Sequence, residues 1–266
     1  VPTDTSHFAG STSSTDILAR QIHSGLNQLE RSASGLFLSA FSAGLDIGFG
    51  PLFMAVILTI SAPSFGDPLK SLLVANAYAV GFIFVVLGRT ELFTEHTTLA
   101  VLPVIDGRAS VLQLLRLWGV VYVGNVVGAT IFAVALAWLA PEYGIAEPRV
   151  FAEMAGPIVH HDAFALFAGA MLAGWLMGLL SWLVGAADST LSRLVVVWLV
   201  AAVIGLAHLP HSIAGTVEVV AAVLTSSDFT LFDYGRFALF ATTGNVVGGT
   251  VFVALLKYGH IVRGGE

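Results

Sequence analysis

Apolar residues run in long stretches over about 36–60, 71–105, 116–139, 163–186, 193–225 and 234–258, separated by short polar connections. Each is at least as long as the roughly 20 residues a helix needs to cross a hydrocarbon core. The pattern therefore predicts an all-α membrane protein with six transmembrane helices. The second and fifth stretches are too long for one straight crossing, and polar residues interrupt both. Ahead of the first crossing, residues 1–34 are polar, with a low-complexity run from Ser11 to Thr15. They lack the apolar core and cleavage site of a signal peptide. Leu18, Ile22, Leu26 and Leu29 fall at helical spacing behind a cap at Thr15–Asp16, which predicts a short amphipathic helix. The expected organisation is a polar segment (1–34), a first three-helix unit (35–140), a second (155–258) and a tail (259–266).

Composition supports lipid as the solvent. Of 266 residues, 56% are hydrophobic and 11% charged, with mean hydropathy +0.88. Soluble domains carry about 25% charged residues. The absence of cysteine removes disulfides and thiolate metal sites, and the net charge of −6 argues against a nucleic-acid partner. Six crossings put both termini on one side. Arg20, Arg31, Arg108, Arg116, Arg193, Lys257 and Arg263 fall on that side, against Lys70, Arg149 and Arg236 opposite. The bias of basic residues to the cytoplasm then sets both termini inside a bacterial-type plasma membrane. Arg89 falls within a span.

An internal repeat changes the picture most. Val123–Phe132 and Thr243–Phe252 agree at seven of ten positions at an offset of 120, including Gly, Asn and Thr, which lipid does not select. Each half then holds three crossings, so the second enters the membrane from the opposite side. Such inverted repeats belong to channels and transporters. The interruptions also match: Gly88–His96 breaks the second span and Gly205–Ser212 the fifth. Irregular backbone at membrane depth occurs where it lines a cavity or is buried in protein.

Glu91-Leu-Phe-Thr94 in the first break, His211-Ser-Ile-Ala214 in the second, and Gly-Asn-x-x-Gly at Gly124 and Gly244 together resemble the formate/nitrite transporter family. The resemblance extends over about residues 33–258. It implies an aquaporin-like inverted repeat, a homopentamer with one pore per subunit, and passage of small monovalent anions such as formate, nitrite, lactate or hydrosulfide. It places His211 at the pore centre beside Thr94. Leu92, with its neighbour Phe93, then forms apolar constrictions with Tyr78, Phe82 and Ile204. The departures mark a divergent branch. A family lysine aligns with Ile158 and an asparagine with Gly174. Pro210 replaces the glutamate before the histidine, and Gly215 the asparagine after His-Ser-x-Ala. His96, His208 and Glu218 are additions.

His211 has two readings, a proton-exchanging pore residue or a buried structural histidine, and its place in a break favours the first. Thr94 either meets the solute or only caps the following half-helix. Glu91 fits a loop-fixing role through amide hydrogen bonds. Arg89 is expected to pair with Glu95 or Glu218, and Asn125 and Asn245 to tie helices to the broken loops. Asp46 suits a structural hydrogen bond or a subunit contact. His160 and His161 point about 100° apart on a helix and suit one metal ion poorly, so neither metal nor cofactor is expected. The amphipathic helix either covers the pore mouth or packs passively on the bundle.

The leading function is a channel or transporter for a small anion or weak acid, with protonation assisted by the central histidine. The alternatives are a pore for a neutral or cationic solute, or a non-conducting sensor or scaffold. An enzyme is disfavoured, because no nucleophile–base set, phosphate loop or metal spacing is present.

Overall fold

The structure, a computed structural model, describes residues 13–61 and 66–264, so Ser11, Thr12 and residues 265–266 lie outside it. Among the described residues, all regular structure is helical. Five of the described stretches are long and apolar enough to cross a membrane: Ala33–Ile60, Asp67–Gly88, Val111–Glu142, Ala163–Ala186 and Leu231–Gly264. The fifth expected span is instead two shorter apolar helices, Thr190–Leu206 and Ala214–Thr225, because the break falls in its middle.

The polar segment contributes α1 (Ser14–Glu30). Its cap is Ser13, just ahead of the expected Thr15–Asp16; the Ser13 hydroxyl accepts the Asp16 amide at 3.1 Å. Leu18, Ile22 and Leu29 are buried against the bundle while Leu26 is half-buried. The first crossing is bent, which the apolar pattern does not reveal. It divides into α2 (Ala33–Asp46) and α3 (Phe49–Ile60). Pro51 has no N–H to offer the Ile47 carbonyl, so the helical ladder breaks there. Asp46, half-buried at the end of α2, accepts from Ser42 at 3.3 Å.

The second crossing is α4 (Asp67–Gly88), followed after the break by α5 (Phe93–Leu99) and a single turn, α6 (Leu102–Ile105). Next, α7 runs from Val111 to Glu142, beyond the expected 116–139. A helix absent from the sequence reading follows, α8 (Arg149–Val159), which buries Val150, Phe151, Met154, Ala155, Ile158 and Val159 along one side. The remaining helices are α9 (Ala163–Ala186), α10 (Thr190–Leu206), α11 (Ala214–Thr225), α12 (Leu231–Gly249) and α13 (Leu256–Gly264). A π-helical segment, Thr250–Leu255, joins the last two. There Thr98 donates to the Gly249 carbonyl and Thr250 donates to the Thr97 carbonyl, each at 2.9 Å, locking α5 onto α12.

The repeat is visible atom by atom. Arg116 donates to the carbonyls of Leu29 and Arg31; Arg236, 120 residues on, donates to those of Val159 and His161. Thus α8 occupies in its half the place α1 occupies in the other. Tyr122 and Thr242, themselves 120 apart, hydrogen-bond to each other at 3.0 Å, which sets them beside the two-fold relation. Helix packing repeats as well. A Cβ added to Gly44 would overlap the Asn125 carbonyl, and one added to Gly174 would overlap that of Asn245. These contacts bring α2 onto α7 and α9 onto α12 backbone to backbone, the close approach that small residues permit in lipid. Gly174→Ala should therefore lower stability by about 1–3 kcal/mol through overpacking. Gly259→Ala, where an added Cβ meets nothing within 4 Å, should leave it unchanged or slightly higher. Thermal unfolding in detergent checks both.

Candidate functional site

Both breaks are built the same way. α4 ends on Arg89 at φ 57°, and the turn after α10 contains His208 at φ 48°; among the described residues these are the two left-handed positions not occupied by glycine. They are 119 residues apart and correspond in the repeat. Such a conformation costs a non-glycine residue roughly 1–3 kcal/mol and persists only where the surroundings impose it.

Two asparagines hold the loops that follow these turns. Asn125 of α7 accepts the Phe93 amide at 2.8 Å and donates to the carbonyls of Glu91 (2.8 Å) and Ala40 (2.7 Å). Asn245 of α12 accepts the Ser212 amide at 2.9 Å and donates to the carbonyls of Pro210 (3.0 Å) and Ala170 (2.8 Å). Each side chain thus replaces the helical hydrogen bonds that its break forfeits, and anchors the loop to the neighbouring helix. Both are fully buried.

The breaks meet at Thr94 and His211. The Thr94 hydroxyl and His211 Nε2 are 2.8 Å apart, and both residues are buried. His211 Nδ1 accepts the Ala214 amide at 3.2 Å, so in the neutral ring the proton lies on Nε2 and is offered to Thr94. The Phe82 ring stands edge-on to the imidazole at 5.0 Å between centroids, and Tyr78 packs on Phe82 at 5.1 Å. Phe82, Leu92 and Ile204 are fully buried around this pair. Phe93 turns away from it; its ring packs on Tyr122 and Trp118 of α7.

A cavity opens on each side of this plug. On the α1 side, a space of about 390 Å³ is lined by Gln28, Arg89, Thr90, Glu91, Glu95 and Arg193, among others. On the α8 side, a space of about 160 Å³ is bounded by Lys70, Glu153, Met54 and His208. Met54 and His208 also line a narrow extension of about 10 Å³ that reaches Tyr78, Ile204, His211 and Glu218. Ile158, which takes the place of the expected lysine, lines that extension too.

The charged residues differ from expectation. Arg89 is exposed in the α1-side cavity and, among the described residues, pairs with neither Glu95 nor Glu218. Glu91 is held by Arg31 (2.5 Å) and by His96 Nε2 (2.6 Å), side chains rather than the amides expected. The His96 carbonyl in turn accepts Trp118 Nε1 at 3.0 Å. Sequence reasoning missed Arg31, whose only signal was a base just before the first crossing. His160 stacks on Phe229, and no three potential metal ligands cluster among the described residues.

Two membrane-buried helix breaks facing each other across an inverted repeat, with a cavity on either side, define a solute-conducting fold. The profile of the formate/nitrite transporter family matches residues 15–259, and the chain belongs to that family. The inner membrane protein YfdC of Escherichia coli (strain K12) is 34% identical over 243 residues, 89% of this chain and 75% of YfdC. A solved structure described as an FNT family ion channel superposes with TM-score 0.82 at 23% identity, covering 92% of this chain and 98% of its own. A pentameric formate channel with formate bound gives TM-score 0.70 at 26% identity, covering 86% and 98%.

Removing either asparagine should undo its break. Asn125→Ala or Asn245→Ala leaves several buried backbone groups without partners, at about 1–3 kcal/mol each. The expected result is a total loss on the order of 3 kcal/mol, read as a lowered unfolding temperature in detergent with similar cost for either variant.

Proposed function

We propose that this chain forms a membrane pore that passes a small monovalent anion or weak acid of the formate or nitrite kind, protonated as it crosses the plug at His211. The observation that carries the reading is the Thr94–His211 hydrogen bond joining the two breaks between opposed cavities. A bare charge at mid-membrane costs at least about 2.5–3.5 kcal/mol, and pairing it with a proton removes that cost. On the α1 side, the exposed Arg89 and the half-buried Arg193 of the same cavity suit the gathering of anions. The formate bound in the pentameric relative supports this substrate class.

The same comparison supports a homopentamer, as do the exposed apolar faces of α7 and α12, among them Val127, Ile131, Trp138 and Leu239. The inner-membrane relative and the distribution of basic residues support a multi-pass inner-membrane protein with α1 and both termini in the cytoplasm. The polar segment and the two three-helix units remain the proposed organisation. One observation favours a second reading, a pore for a neutral or cationic solute: the α8-side extension holds Ile158 and Glu218 and no lysine or arginine.

Flux into proteoliposomes, measured with formate, nitrite, lactate and ammonium between about pH 5 and 8, the range in which histidines titrate, separates these readings. Formate or nitrite flux that rises toward acid pH supports the first. Ammonium flux without formate flux replaces it by the second. His211→Asn keeps size and hydrogen bonding but carries no proton. It should slow formate on the order of 100-fold, the rate equivalent of the charge barrier, and flatten the pH profile. Unchanged rate and profile would return His211 to a structural role.

A further inference from the structure

Glu218 is the buried ionisable group that the scheme above leaves without a task. It lies on α11, two turns beyond His211, and is 4% exposed. Among the described residues it makes no hydrogen bond and no ion pair. It lines the narrow extension together with His208, His211 and Tyr78, and that extension shares Met54 and His208 with the wider α8-side cavity. A volume of about 10 Å³ is close to one water probe, so this passage admits a single file.

We propose that Glu218 is the proton-exchanging and specificity-determining carboxyl of the α8-side half of the pathway, so that on this side the solute moves as its neutral acid and not as a bare anion. The inference rests on the weak-acid reading of the preceding subsection. Three features support it. First, a carboxyl group with no partner at this depth has nothing to offset an anion beside it, and like charges exclude each other strongly where water is scarce. Second, His211 cannot be refilled through Nδ1, because that nitrogen accepts the Ala214 amide. A proton that leaves Nε2 must return from the pathway itself, where Glu218 is the carboxyl within the same narrow space. Third, Met54 and His208 line both that space and the outer cavity, which places water of the outer cavity next to the narrow space from which the carboxyl is recharged. The step balances simply. The Glu218 acid gives its proton to the entering anion, becomes carboxylate, and takes a proton back from cavity water; in the reverse direction the carboxylate accepts the proton of the arriving acid.

The groups around Glu218 leave it free for this. Tyr78 of α4 lies close enough to interact with it electrostatically, and His208 and His211 face it from the break. From α8, Glu153 is held by Lys70 at 3.0 Å in the adjoining cavity. From α12, Tyr234 lies 3.4 Å from the Thr216 hydroxyl. α3 contributes Met54. On α7, Arg116 is bound to carbonyls at the end of α1, Tyr122 is bound to Thr242, and Glu142 is exposed.

The test compares wild type, Glu218→Gln and Glu218→Asp in proteoliposomes containing a pH dye, with an inward formate gradient. Size exclusion in detergent verifies that each variant assembles as the wild type does. In the wild type, formate entry should acidify the lumen. In Glu218→Gln, entry at pH 5 should fall on the order of 100-fold, the weight of a positioned general acid, and the acidification should go with it. Glu218→Asp should keep both. A Glu218→Gln protein that retains rate and acidification overturns the proposal. So does a well-assembled Glu218→Asp that is as inactive as Glu218→Gln, because shape and not the proton would then matter. Wild-type formate entry without acidification defeats this inference and leaves a formate pore standing, whereas absence of wild-type formate and nitrite flux removes both readings.

Discussion

The architecture depends on how a helix can stop halfway through a membrane. Each unpaired backbone group in hydrocarbon costs several kcal/mol, so a break survives only if side chains take over the lost hydrogen bonds. Asn125 and Asn245 do this with three bonds apiece. An asparagine suits the task because its amide both donates and accepts, and carries no charge to desolvate. Everything that conducts is hung from these six bonds. Phe93 and Ser212 are the residues whose amides are captured, and Thr94 and His211 lie directly beside them in the chain. The Thr94–His211 contact is therefore fixed by the same bonds that make the breaks tolerable.

The glycines complete that constraint. Gly44 and Gly174 let the backbones of α2 and α9 rest on the peptide units of Asn125 and Asn245. With larger residues there, the asparagines would stand too far from Ala40 and Ala170 to bind their carbonyls. The asparagine expected from the family at position 174 thus meets a place where this chain has no room for any side chain. Gly215, another departure, faces the Phe237 ring with no space for a Cβ. These substitutions tighten the second half of the bundle, so their effect is first on packing and only through packing on the pathway.

Much of this was legible in the sequence because the repeat is made of residues that lipid does not choose. Asn125, Asn245, Thr94 and His211 stand out against an apolar background, and two polar interruptions at matching places point to one site. The bend at Pro51 was less visible, since a proline within an apolar run gives no indication of how far the chain turns. α8 was hidden for a different reason. Its 11 residues are too few for a span and its ends carry no side-chain cap, so neither length nor capping announces it. The Arg31 partner of Glu91 was unreadable because 60 residues separate the two, so the sequence offered only nearby loop amides to Glu91. Phe93 illustrates the same limit. Its neighbour Leu92 is buried beside the plug, yet one residue along the chain the side chain points to α7.

The two ends of the pathway follow different electrostatic rules, and the repeat explains how this arose. α1 and α8 occupy equivalent places, each fastened by an arginine 120 residues from its counterpart. On the α1 side, Arg31 reaches inward and, with His96, holds the Glu91 carboxylate, which leaves the exposed Arg89 and the half-buried Arg193 lining the cavity. His161, the residue corresponding to Arg31 by its carbonyl contact, is exposed, and Pro210 stands where Glu91 stands in the other break. Among the described residues the α8-side break therefore has no ion pair of this kind to hold it; a ring and tight glycine contacts do that work. Among the described residues, His208 and Glu218 of this side make no hydrogen bond or ion pair, and both line the narrow passage. A symmetric scaffold has thus been given a mouth with two arginines on one side and a neck with a buried carboxyl on the other, with the Thr94–His211 pair between them.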